Sequence, residues 1–154
     1  MDRRNRGSHD GLVPKNRSAP PASIIPVLVY PDVGEAVEWL TRVFGFDERI
    51  RIGDHRAQLG FGEGALIVAD ASQGRREPGE DGATHSVMVR VQDVDEHCRR
   101  VKAAGGETGG DPVTLPFGER QYHAIDPAGH HWTFTQSVAD IDPEEWGGET
   151  VSPW

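Results

Sequence analysis

Arg90, Arg120, Tyr122, His131 and Thr133 are the side chains of this chain best suited to chemistry. A guanidinium holds a planar carboxylate or phosphate through paired hydrogen bonds, and an imidazole or phenol can move a proton. Asp126-Pro127-Ala128-Gly129 reads as a hairpin turn that sets which of them share a surface. A turn of four residues would pair Ala124 with His131 and Tyr122 with Thr133, placing Arg120, Tyr122, His131, Thr133 and Thr135 on one face. Trp132 and Phe134 then lie under the helices together with His123. Neighbours on a strand point to opposite faces, so His130 and His131 cannot ligate one ion together. Each arginine either holds a ligand anion or pairs with a carboxylate of the chain itself.

Two copies of one module must position these residues. Asp32-Val33-Gly34-Glu35 returns as Asp93-Val94-Asp95-Glu96, and Gly45 returns as Gly106, at a constant offset of 61. Each copy opens on an apolar run, Ile24 to Tyr30 or Ser86 to Val91, followed by an Asp-x-x-Glu capping box. The helical stripes are Val33, Ala36, Val37, Leu40 and Phe44 in the first copy, and Val94, Cys98 and Val101 in the second. Gly45 and Gly106 are expected to supply the left-handed stops. Strands are predicted over 46–52, 55–60 and 65–69, then over 85–91, near 113–115, and over 119–125 and 130–136. Residues 71–83 form a connector without periodicity. The fold class is therefore α+β, with two βαβββ modules in tandem. A module of this size is marginal alone, so both should share one core. The expected division is a flexible basic arm over 1–22, one domain over 23–137, and a tail over 138–154. A short helix begins at Asp142-Pro143, and Trp146 and Trp154 anchor the tail.

Composition removes several classes of function. The formal charge is −9, and the arm carries Arg3, Arg4, Arg6, Lys15 and Arg17, so the remainder is more acidic still and would repel a nucleic acid backbone. Cys98 is the single cysteine, which forbids an internal disulfide and fits a reducing cytoplasm. On a core-facing stripe it reads as a small hydrophobe. No apolar run approaches the length of a membrane span, and the N-terminus lacks the apolar segment of a secretion signal. Neither a phosphate-cradling loop nor a nucleophile elbow is present.

The duplicated module, together with Phe117-Gly118-Glu119-Arg120-Gln121-Tyr122 and Asp126-Pro127-x-Gly129-His130-x-Trp132, resembles the vicinal oxygen chelate superfamily of glyoxalases, bleomycin-resistance proteins and extradiol dioxygenases. The resemblance spans about residues 23 to 136. It implies paired curved mixed sheets around a cleft, often completed in a homodimer, and in metal-using members His, Gln or Glu ligands on the first and last strands of each module. The matching positions here hold Ile25, Ser86 and Thr133, with Ala69 or Asp70 at the end of the first module. Divalent ions need several N or O donors converging on one point, so no metal site and no cofactor are expected. The expected cleft lining is Val27, Val29, Gln58, Ser86, Met88, Arg90, Arg120, Tyr122, His131 and Thr133, a partly apolar pocket with a few orienting groups. The resemblance then implies a metal-independent binder that sequesters or senses an antibiotic-like small molecule. The alternative is a lyase, isomerase or dioxygenase of the same superfamily, with a divalent metal ion held by Asp70, His131 and Gln58. A third possibility is a partner-binding protein whose cleft is filled by its own side chains.

Overall fold

Asp32 and Asp93 start the two helices as the capping boxes require, their carboxylates accepting from the backbone N–H of Glu35 and Glu96 at 3.0 Å in each case. The computed structural model describes residues 13–72 and 74–152. The first module contains β1 (Val27–Val29), α1 (Val33–Trp39), β2 (Asp47–Ile52), β3 (Arg56–Phe61) and β4 (Gly64–Ala69). The second contains β5 (Ser86–Arg90), α2 (Val94–Ala103), β6 (Glu107–Thr108), β7 (Val113–Thr114), β8 (Glu119–Ile125) and β9 (His131–Ser137). Sheet 1 runs β1-β4-β3-β2 with β1 parallel to β4, and sheet 2 runs β5-β9-β8-β6 with β5 parallel to β9. β7 also pairs with β8, so two short strands fill the place that β2 fills in the first module. The tail carries a short 3-10 turn over Pro143–Trp146, capped by Asp142.

The two helices end differently. α1 continues into a π-helical turn, Leu40–Phe44, before Gly45 turns left-handed at φ 87°. In the second copy the left-handed residue is Gly105, also at φ 87°, and not Gly106. The π turn holds one extra residue, which moves the stop by one position relative to the cap. Gly106 is needed for a different reason: a Cβ there would meet Val101 Cγ1 at 2.6 Å.

Both modules bury the same side of their sheets, in one core. Leu28, Leu59, Leu66 and Val68 of sheet 1 join Tyr122, Ala124, Trp132 and Phe134 of sheet 2 and the inner stripes of both helices. Phe44, from the end of the first helix, stacks edge-on against Trp132 and Phe134 at 5.2 and 4.9 Å. Each fully buried aromatic ring contributes roughly 2–3 kcal/mol, so the halves stabilise one another.

Two polar clusters tie this junction. Asp126, buried in the β8–β9 turn, accepts from the Tyr30 hydroxyl at 2.5 Å, from Trp132 Nε1 at 3.1 Å and from the backbone N–H of Ala128 and His130. Burial first, and then the Asp126 charge, push the Tyr30 hydroxyl far above its ordinary pKa, so it stays a donor. His97 on α2 donates from Nε2 to the Phe44 carbonyl at 2.8 Å and accepts at Nδ1 from the Tyr122 hydroxyl at 2.5 Å. The Asp-Pro-x-Gly turn is thus a fastener between modules.

Candidate functional site

β8 and β9 are joined by a three-residue loop, Pro127-Ala128-Gly129, inside an Asp126–His130 backbone pair of 3.0 Å. Gly129 takes φ 95°, and a Cβ there would meet the Gly79 carbonyl oxygen at 2.5 Å. A three-residue loop ending in a left-handed glycine is a standard hairpin closure, and it shifts the register by one from the four-residue turn that the sequence suggested. Ile125 pairs with His131, His123 with Thr133, and Tyr122 with Phe134. One residue of slip turns a whole strand over, so every β8 residue lies on the face opposite to expectation.

Tyr122 is consequently a core residue, 2% exposed, and not a cleft residue. Burial pushes its hydroxyl well above the usual pKa, and it bonds His97. Arg120 lies on the helix side, where its guanidinium grips Asp95 of α2 through two 2.9 Å bonds. His123 moves the other way, from the expected core side to the outer face.

The outer face of sheet 2 carries Ser86, Met88 and Arg90 on β5, His131, Thr133 and Thr135 on β9, and Gln121, His123 and Ile125 on β8. A depression of about 300 Å³ is lined by Ser86, His123, Ile125, His131 and Thr133, with Glu107 and Thr108 at its edge. His123 Nδ1 and Thr133 Oγ1 lie 2.9 Å apart, while His123 and His131 are both exposed. Met88 stands beside Thr133 and is 61% exposed, an apolar side chain in mid-strand with nothing covering it. Arg90 donates to Glu119 at 2.9 Å and also to Ser137, so the alternative of a pairing within the chain holds for both arginines. Burial raises the Glu119 carboxyl, but hydrogen bonds with Ser137, Thr135 and Arg90 outweigh it and hold the group below its usual range.

The outer face of sheet 1 is different. Val29, Ile67 and Ala69 lie on it and are buried, and Gln58 is only 6% exposed. Gln58 accepts from Arg49 at 2.6 Å and donates to the Ser18 carbonyl at 2.8 Å. Arg49 also donates to the Arg17 carbonyl at 3.0 Å. The arm expected to be flexible over 1–22 is therefore held to the sheet in its described part; Arg3, Arg4 and Arg6, like Trp154, lie outside the described residues. Trp146 packs on Phe117 at 5.3 Å.

The ten residues expected in one hollow thus do not come together. Val27 and Val29 line a depression with the connector, His85 and His130; Ser86, His131 and Thr133 line the one on sheet 2. Met88 and Arg90 border a groove of about 840 Å³ against Phe46 and Phe61, and Arg120 lies in a fourth hollow beside Asp95. His130 is buried and bonds the Val29 carbonyl at 2.7 Å, whereas His131 faces out. Arg49 and Gln121 were not among the expected site residues, and His123 was expected on the core side. The glycine that ends the Pro-Ala-Gly loop was the signal that would have found the last two.

The donors do not suit a divalent ion. Ile25 offers hydrocarbon, Ser86 and Thr133 offer neutral hydroxyls, and Asp70 is bonded to His55 Nδ1 at 3.0 Å. The alternative trio is divided, with His131 on sheet 2 and Gln58 on sheet 1, already engaged, and Asp70 at the end of β4. Among the described residues no three His, Cys, Asp or Glu side chains are grouped to hold a metal. Cys98 is buried, and burial raises its thiol, leaving it a packing residue. No helix among the described residues is long and apolar enough to cross a membrane.

Comparison with known proteins agrees with this architecture. Residues 24–134 match the family model of the Glyoxalase/Bleomycin resistance protein/Dioxygenase superfamily. TioX from Micromonospora sp. ML1 is 36% identical, with 79% of this chain and 100% of that one covered and a TM-score of 0.63. A glyoxalase/bleomycin resistance protein/dioxygenase from Nocardioides is 21% identical over 88% of this chain and 91% of its own, with a TM-score of 0.59. The fosfomycin resistance protein FosX from Listeria monocytogenes is 14% identical over 75% and 92%, at 0.60. The two less similar structures share the fold alone. No curated protein matches the chain. Two βαβββ modules, the matched span and the TioX likeness together place this chain in the glyoxalase/bleomycin resistance protein/dioxygenase superfamily.

Proposed function

We propose that this protein binds an amphipathic, antibiotic-like small molecule on the outer face of sheet 2 without a metal ion, in a cleft that a second copy of the chain completes. The observation that carries this reading is Met88, which stands exposed in the middle of a strand and is flanked by hydroxyl and imidazole groups. A face of that kind offers a ligand apolar contact together with a few orienting hydrogen bonds. It is open on one side in a single chain, whereas ligand sites bury most of their ligand. A homodimer supplies the missing wall. The family spans resistance proteins and dioxygenases, and the neutral donors at Ser86 and Thr133 favour binding over metal chemistry.

The test uses the aromatic sulfonate 8-anilinonaphthalene-1-sulfonate as probe. Saturable fluorescence enhancement is expected, with affinity falling at least tenfold in Met88→Glu and unchanged by chelators, while sedimentation reports a dimer. Near-stoichiometric zinc, nickel, manganese or iron that survives dialysis, with a melting temperature that drops on chelation, would overturn the reading.

A further inference from the structure

The outer face of sheet 1 already holds a ligand of known chemistry, namely the chain itself. Asn16 closes a short turn, its side-chain oxygen accepting from Ser18 N at 3.0 Å and its carbonyl from Ala19 N at 3.2 Å. The turn presents two consecutive backbone carbonyls, of Arg17 and Ser18, to Arg49 and Gln58. β2 and β3 lose register between Glu48 and Ile50, so Arg49 is the extra residue of a β-bulge. Bulges re-aim side chains, and this one brings the Arg49 guanidinium to 2.6 Å from the Gln58 oxygen. With its oxygen facing Arg49, the Gln58 carboxamide has an N–H left to aim at a carbonyl, and a buried amide left without a partner is destabilising. No side chain of the arm takes part in these contacts to the sheet. Both hydrogen bonds from the sheet to the arm therefore end on peptide backbone.

We propose that residues 16–19 form a displaceable strap, and that the Arg49–Gln58 pair beneath it is a binding subsite for the amide carbonyls of an extended peptide or peptide-like ligand. Tethering gives the strap an effective concentration in the millimolar range, so a competing ligand must either bind better or arrive after the arm has moved. Strap and subsite lie on sheet 1, and their existence does not depend on the ligand face of sheet 2.

The side-chain NH2 resonances of Gln58 in ¹⁵N-labelled protein test this, assigned by their loss in Gln58→Ala. Removal of residues 1–22 should shift them, and a synthetic peptide of residues 13–22 at millimolar concentration should return them toward their original position. Arg49→Ala in the shortened chain should abolish most of that return. Resonances that stay put on removal, or that ignore the peptide, would overturn the proposal. If the shortened chain does not give a folded spectrum, full-length Gln58→Ala carries the test. Trypsin should then cut after Arg17 at least fivefold faster than in the unaltered protein, and an equal rate would refute the strap.

Discussion

The two modules repeat one architecture, yet their outer sheet faces differ. On sheet 1, Ile67 is 9% exposed and Gln58 is closed over by the arm; on sheet 2, Met88 at the centre of β5 is 61% exposed. The inner faces are alike, because both feed one core through the same caps and similar helical stripes. The two modules are therefore alike on the side that feeds the shared core and unlike on the other. The energetics explain why: a core change costs several kcal/mol in either copy, whereas an exposed face can vary at little cost.

The severest way to break this comparison is to ask whether the inner sides are truly shared. Trp132→Ala should lower stability by about 3–5 kcal/mol in urea unfolding while leaving a single transition. Two separate transitions would mean that the modules fold as independent units. The contrast between the outer faces is tested by one substitution made twice. Ile67→Lys should cost at least about 2 kcal/mol, because it buries an ammonium group, and Met88→Lys should lie within about 0.5 kcal/mol of the parent. Equal costs would erase the asymmetry.

The junction supplies a pH test. Burial, outweighing the hydrogen bond to Phe44 and helped by the nearby Arg100 charge, holds the His97 pKa below its ordinary 6.5. The unfolded chain then binds more protons near pH 6, so this contribution to stability is complete above the unfolded value and is lost as pH falls from 6.5 toward the folded one. Each unit of depression corresponds to about 1.4 kcal/mol. Urea midpoints measured between pH 8 and 5 should fall more steeply in the parent than in His97→Gln, and parallel curves would remove His97 from the account. The smallest effect belongs to Arg120. Paired with Asp95 at the surface, it should cost less than about 1 kcal/mol when changed to Gln and leave probe binding on sheet 2 untouched. A lost probe would return Arg120 to the ligand face.

Much of the fold was legible from local chemistry. The Asp32 and Asp93 caps, the helix stripes, most strands and the β8 boundaries follow from hydrogen-bonding capacity and side-chain period, which neighbours in sequence determine. The candidate site was legible only where a strand's phase was fixed independently. Ser86, Met88 and Arg90, expected in the cleft with His131 and Thr133, share one face of sheet 2 with them, because residues two apart on a strand point the same way. Tyr122 and Arg120 were assigned through the turn, and one residue in the loop length put both on the other side.

The sequence alone thus determined what repeats: the elements, their caps, their apolar stripes and the family to which they point. Tertiary structure decided what faces what. Gly129 lies against the Gly79 carbonyl, 50 residues away in the chain, where a Cβ would not fit, and the closure of sheet 1 depends on Ser18 reaching Gln58 across 40. Such contacts leave no periodic trace in either partner, because their energy resides in the pairing of two distant segments and not in either one.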